Sequence, residues 1–359
     1  MEDEKIEIKP FHYMFLVAGF IHGSHLLMAF MDNLTGHDFW IVVISGFVFS
    51  LPLVLSFIFL SKKFPDLDLT QILEKVYGKL LGKIITLLYV LFFLLLLSFN
   101  LSDIATFYKE LVMQDLPIIV FLSVFAVLCA YAVKMGIDGV AKISILTVIF
   151  GIFTPVFTSL LLIADMDFSN LMPVLEVSGE TYLKSVGIFV VVPFGEAITL
   201  LMVTPYVKDK KKISRNTVGG MAIITFIFLV IALRNTVVLG PSNNIYAQSA
   251  YQTVRIINVG KFFTRVELLI ALVITSALFI KISVIYYATV KSVSRLINLS
   301  NYKILIIPIG TIAVVLGSVV FGSTISHSDW GEFYATAFGI PFSVVIPLLT
   351  ILIAKLRKV

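Results

Sequence analysis

A helix that crosses a bilayer needs about 20 apolar residues, and one such stretch in this chain is interrupted halfway by Pro193-Phe194-Gly195-Glu196. Mostly apolar residues flank the interruption on both sides, so the Glu196 carboxyl lies near the middle of the membrane. A charge at that depth costs at least about 2.5–3.5 kcal/mol on insertion scales, and such residues mark substrate or ion paths. Proline removes a backbone donor and glycine weakens a helix, so the main-chain groups around the break need partners.

Composition sets the environment. Of the 359 residues 59% are hydrophobic and 14% charged, and the mean hydropathy is +1.03, more than a soluble core requires. The chain reads as an all-α polytopic membrane protein, a single transmembrane domain over residues 1–359. Window-length hydropathy gives ten spans: 11–31, 39–60, 83–108, 117–134, 142–164, 182–205, 217–239, 262–289, 304–322 and 338–355. The longest intervals, 61–82, 165–181, 240–261 and 323–337, have room for a short helix but not for a soluble domain. The start is acidic and the first apolar run has span length with no small-residue cleavage site, so no removable signal peptide is expected. Cys129 is the one cysteine, which excludes an internal disulfide and a cysteine metal cluster.

Basic residues set the expected orientation, because lysine and arginine are retained on the cytoplasmic side. Twenty of the 27 fall in one set of turns, and three, Lys109, Arg255 and Lys261, in the other; Lys184, Arg234, Arg265 and Lys281 fall within spans or at their edges. Both termini are therefore expected in the cytoplasm. The basic turn Lys208–Arg215 is expected to meet anionic lipid headgroups. Scattered basic turns account for the high isoelectric point without nucleic acid.

Ten spans with both ends on one side divide into two sets of five, about 11–164 and 182–355, and an odd set forces the second half in upside down. Such inverted repeats place a broken helix at equivalent positions in each half, with the binding site between the breaks. The sixth span carries the break at Glu196, so the first should be broken as well. Its one polar, glycine-bearing stretch is Gly19-Phe20-Ile21-His22-Gly23-Ser24-His25. The third and eighth spans, also counterparts, are both long.

Pro193-Phe194-Gly195-Glu196, then Arg234-Asn235-Thr236 with Leu239-Gly240, then Val254 through Glu267 at fixed spacing, resemble the B subunits of spore germinant receptors. These are the endospore germination permeases, a branch of the amino acid, polyamine and organocation transporter superfamily, and the resemblance covers essentially the whole chain. It implies a germinant sensor of the spore inner membrane that takes a small nutrient, an amino acid or a sugar. It also implies two partners, a larger membrane A subunit and a C-subunit lipoprotein, and no cofactor. The chain departs from the superfamily at the first break, where two histidines stand in place of a glycine-rich, proline-bearing turn. The alternative function is an ion- or proton-coupled secondary amino acid transporter. An intramembrane enzyme has no support, since zinc-protease, nucleophile-elbow and Walker motifs are all missing.

Gly19, His22, Gly23, Ser24 and His25 on span one and Phe194, Gly195 and Glu196 on span six are expected to flank one small-molecule pocket. Glu196 either pairs with a ligand amine, carries a proton, or holds the break open as a buried carboxyl. His22 and His25, three apart, share a helix side and read as a ligand-contacting or pH-sensitive pair, as hydrogen-bonded packing, or as metal ligands lacking a carboxylate companion. Thr275 and Ser276 are adjacent hydroxyls where sodium-coupled members of the fold ligate an ion; packing is the plain alternative. Lys281 either snorkels to the cytoplasmic surface or lends its ammonium in place of a coupling cation. Asp103, Arg234, Arg265 and Glu267 fall toward the outer ends of their spans, where opposite charges should pair into a network that is structural or a gate. Trp40, Trp330, Tyr206, Tyr246 and Tyr251 read as interfacial anchors.

Overall fold

A computed structural model describes residues 6–111, 113–241, 249–257, 266–320 and 330–359, apart from the side chains of Met28, Ala29, Glu332 and Phe333. Arg265 and Tyr246 lie outside the described residues. Nine stretches among the described residues are long and apolar enough to cross a membrane. The first crossing adds to them as two consecutive helices, α1 (Pro10–His22) and α2 (His25–Thr35), each too short to span alone. The others are α3 (Phe39–Lys63), α5 (Lys79–Leu111), α6 (Ile118–Met135), α7 (Ile137–Leu161), the irregular sixth crossing that opens with α8 (Gly179–Phe189), α9 (Ile213–Leu239), α11 (Glu267–Leu296), α12 (Ile306–Val320) and a tenth, Ala335–Leu356. Two short helices, α4 (Leu69–Tyr77) and α10 (Ser249–Arg255), occupy two of the long connections.

Local sequence explains the boundaries. Pro10 stands at the start of α1, where its missing N–H is no loss. Asp68 and Gln71 cap α4 reciprocally, the Asp68 side chain accepting from Gln71 N and Gln71 Oε1 from Asp68 N, each at 2.9 Å. The two long counterparts are α5, with 33 residues, and α11, with 30; α11 continues past the expected end at Thr289 to Leu296.

Both expected breaks are present, and neither is an unwound loop. Between α1 and α2 the chain makes a turn in which Gly23 N donates to Gly19 O (3.1 Å) and Ser24 N to Ile21 O (3.0 Å). In the sixth crossing, α8 passes into one π-helical segment, Val190–Phe194, and then into 3-10 winding over Gly195–Met202. A π segment widens the helix, a local irregularity that recurs at functional sites and at kinks, and here it contains Pro193. The tenth crossing carries a similar π segment at Pro341–Val345.

The sixth crossing is the hub: 83% of its apolar window is buried, against 28% for the ninth and tenth. Around it, α11 packs against α5, α6, α7 and α1, and α1 also packs against α9 and α7. At the lysine-rich face the N-terminal segment adds one parallel bridge, Ile8 with Val207. Ile8 N donates to Tyr206 O (2.8 Å), Lys208 N to Ile8 O (3.0 Å), and Asn216 Nδ2 to Pro10 O (2.8 Å).

At the corner between α4 and α5, a methyl group on Gly82 would lie 2.9 Å from both Glu74 N and Leu73 O, which are backbone atoms that cannot rotate away. Gly82→Ala is expected to destabilise the protein by about 1–3 kcal/mol, seen as a lower Tm of the detergent-solubilised protein, whereas alanine at Gly139, which faces open space, should leave Tm unchanged or raise it.

Candidate functional site

Lys281 on α11 reaches across both breaks. Its Nζ lies 2.6 Å from Glu196 Oε2 and donates to Ser24 Oγ at 2.7 Å, so one ammonium joins the first, sixth and eighth crossings. The Lys281 side chain is 3% exposed and that of Glu196 8%. The ammonium also stands 6.0 Å from the centre of the Phe20 ring, a cation–π distance. Lys281 therefore does not snorkel. Its stem runs over the α-face of Gly23, where any Cβ would collide with Lys281 Cβ and Cδ and come within 3.0 Å of Ala277 O. Gly23 is glycine because the lysine must pass.

The pair lines a cavity of about 230 Å³. Its wall is apolar and aromatic, with Phe30, Phe92, Phe99, Trp330 and Phe338 among the lining residues. Asn33, Asn100, Asp103, Thr106 and Glu110 add polar groups, the last three spaced along one face of α5. Trp330, expected as an interfacial anchor, instead lines this cavity, its ring centre 4.7 Å from that of Phe99 and 5.6 Å from that of Phe338. The chain leading into the tenth crossing brings it there, which no local pattern around residue 330 announces.

Of the eight residues expected to flank a pocket between the two breaks, Gly23, Ser24 and Glu196 line the cavity. The others face neighbouring helices. A Cβ on Gly19 would meet Ile280 and Ser144, and one on Gly195 would meet Ser343. The Phe194 ring packs edge-on to Phe47 and Phe189. His22 and His25 turn away from the cavity toward Phe228, 6.0 and 6.3 Å between ring centres, with 5.5 Å between the two imidazoles. Their four ring nitrogens are buried and have no hydrogen-bond partner among the described residues. Gly151 makes room for His22, whose Cε1 would lie 2.7 Å from a Cβ there. No group of three metal-ligating side chains occurs among the described residues.

The adjacent hydroxyls of α11 bond to their own helix. Thr275 Oγ1 donates to Ala271 O (2.6 Å) and meets Tyr108 Oη at 2.8 Å, while Ser276 Oγ donates to Val273 O (3.0 Å). Neither lines the cavity.

Of the charges expected in an outer network, Arg234 is the one whose bonds can be followed among the described residues. Arg234, 2% exposed, donates Nη1 to Thr158 Oγ1 (2.7 Å) and Nη2 to Asn235 Oδ1 (2.9 Å). Asn235 Nδ2 in turn donates to Asp32 Oδ2 (3.3 Å), which also accepts from Ser249 Oγ at 2.6 Å. Asp32 on α2 is thus the buried acid of this network, a partner that sequence reasoning missed. The signal was available: Asp32 and Arg234 lie near the same ends of spans one and seven. Asp103 lines the cavity, Glu267 begins α11, and Arg265 lies outside the described residues.

Removing one member of a buried ion pair strands the other charge, at a cost of about 3–5 kcal/mol, whereas neutral replacement of both is often tolerated. Lys281→Met should therefore lower Tm sharply, and Glu196→Gln with Lys281→Met should recover most of the loss. A double variant no better than Lys281→Met would remove the pair from the stability of the bundle.

The family model for spore germination proteins of the spore permease type matches residues 7–320. The chain is 26% identical over 365 residues to spore germination protein KB of Bacillus subtilis strain 168, covering 100% of this chain and 96% of that protein. In structure it resembles MhsT in complex with L-phenylalanine, with a TM-score of 0.69, 15% identity and coverage of 96% and 88%. It also resembles Mhp1, a nucleobase-cation-symport-1 family transporter, in a closed conformation with bromovinylhydantoin bound, with a TM-score of 0.66, 12% identity and coverage of 98% and 94%. At these identities the structural likeness concerns the fold, and it is the fold of ten crossings in two inverted sets with the first and sixth broken. From the family match over most of its length, this chain belongs to the spore germination permease family.

Proposed function

We propose that the chain is the germinant-sensing subunit of a spore germination receptor and that its cavity takes a small nutrient. The observation that carries this reading is the buried Lys281–Glu196–Ser24 junction in the wall of a cavity lined by aromatic rings. Ligand sites combine such apolar walls with a few placed polar groups, typically in about 300–1,000 Å³. At about 230 Å³ this cavity suits a small molecule. An ammonium carries three donors, and Glu196 and Ser24 take two, which leaves one for a ligand acceptor. Aromatic walls with a few charged groups among them favour an amino acid with an apolar side chain over a sugar, whose hydroxyls need partners on every edge. Its carboxylate would accept from Lys281 and its ammonium would face Asp103.

The same junction supplies a signal. Lys281 ties one broken crossing to the other, so a ligand that draws on the ammonium alters what holds the breaks together. Occupancy then shifts the balance between bundle packings by its differential affinity for them. The larger membrane A subunit and the C-subunit lipoprotein would read that shift in the spore inner membrane, with both termini of this chain in the cytoplasm. A secondary transporter built on the same cavity is the second reading, supported by the transporter fold of the structural neighbours.

The test is thermal stabilisation of the purified protein by amino acids, sugars and nucleosides. A ligand at 100 times its Kd is expected to add about 2.7 kcal/mol. Ala335→Trp, which fills the cavity from its wall, should abolish that shift; an undiminished shift would place the ligand elsewhere. Uptake of the same ligand into proteoliposomes would favour the transporter.

A further inference from the structure

The connection between α7 and the sixth crossing, residues 163–178, is held as a folded element. Asp167 N donates to Val237 O (2.8 Å) and Asn170 Nδ2 to the same carbonyl (3.3 Å), which fixes one part to the end of α9. The fully buried Asp38 fixes the other part: its two carboxylate oxygens accept from Leu175 N (2.7 Å) and Val177 N (3.0 Å). His37 Nε2 lies 2.6 Å from Pro173 O. Leu175 has φ 61°, left-handed backbone that a branched side chain adopts at a cost, and such a conformation persists only where its surroundings impose it.

This anchored element turns large apolar side chains outward. Ile163, Phe168, Met172, Val174 and Leu175 are between 44% and 69% exposed. In the expected orientation they stand on the extracytoplasmic side. Two environments can cover them, the bilayer surface or a protein, and charge separates the two. Asp165, Asp167, Glu176 and Glu180 lie in or beside the element, with no lysine or arginine over 163–180. The Ser169 hydroxyl and amide hold the Asp167 carboxyl below the usual aspartate range, so it stays ionised. Four acids among the apolar side chains are repelled by an anionic lipid surface and suit a basic surface.

We infer that residues 163–178 form a docking surface for an extracytoplasmic protein domain that presents apolar side chains ringed by lysine and arginine. The inference rests on the receptor reading, which supplies a partner on that side of the membrane. Leu175 and Phe168 are its apolar anchors; Asp38 holds the backbone at Leu175, and the end of α9 holds the part that carries Phe168.

The test co-expresses the full chain with the large membrane subunit and the lipoprotein proposed above. Glycine takes the left-handed backbone without strain, so Leu175→Gly should keep or raise the Tm of the chain alone. The same variant, and Phe168→Ser with Met172→Ser, should lower recovery of the partners by about fivefold or more, and the loss should deepen at high salt. Undiminished recovery with both variants would overturn the docking surface and leave the receptor reading standing; failure of the wild type to retain either partner would overturn both. Because Cys129 is buried, a label on Phe168→Cys reports the element selectively in nanodiscs that contain phosphatidylglycerol. Quenching by brominated acyl chains would assign the surface to the bilayer and overturn the inference; the expected result is no quenching, with the label shielded from a soluble quencher once the partners are bound.

Discussion

An ammonium and a carboxylate 2.6 Å apart in the middle of a membrane protein constrain everything around them. Each alone would be costly to bury in that medium, and together they are tolerated because the geometry is close and a hydroxyl shares the ammonium. The arrangement dictates its neighbours. Gly23 must lack a side chain so that the lysine stem can cross, and Phe20 must lend its ring face. The sixth crossing changes from π to 3-10 winding over the residues that lead to and include Glu196. Three crossings distant in sequence are thereby held by one side chain.

The same economy appears at the other polar centre. Arg234 finds its anion through Asn235, and Asp32 and Ser249 complete the circuit. Here α2, α9 and α10 meet, the second half of the broken first crossing, the seventh crossing and a short connecting helix. Two buried polar knots thus hold the two halves of the first crossing, one at its break and one farther along α2. The cavity beside the first of them takes its aromatic side chains from α2, from the third crossing and from the chain that leads into the tenth.

Much of the fold was legible because membranes restrict it. Hydropathy gives the crossings and an odd number of spans per half gives the inversion. A lone Pro-Phe-Gly-Glu in an apolar run gives the break, and its counterpart at Gly23 follows by symmetry. The site was legible only on its polar side. Gly23, Ser24 and Glu196 could be named from the breaks, and Lys281 stood out as a charge within a span, but its partner could not be chosen without knowing how α11 rotates. The histidines mislead for the same reason: a polar residue at a break carries no mark of which way it faces, and Phe228 claims both while the space above Gly151 takes His22. Aromatic residues are common throughout the spans, so Phe92, Phe99, Trp330 and Phe338 become a wall only when distant crossings converge. Asp32 was overlooked because one acid near a span end resembles an ordinary interfacial residue until its arginine is seen.

The small parallel bridge between Ile8 and Val207 acquires meaning from its position. It joins the strand of chain entering the first crossing to the turn leaving the sixth, while Lys281 joins the same two crossings at their centres. Two rods pinned to each other at the middle and at one end have little freedom left but to swing together, with their far ends sweeping the largest arc. Movement begun in the cavity would be geared outward, toward α2 and the connections on the far face, and the lysine-rich end would serve as the pivot.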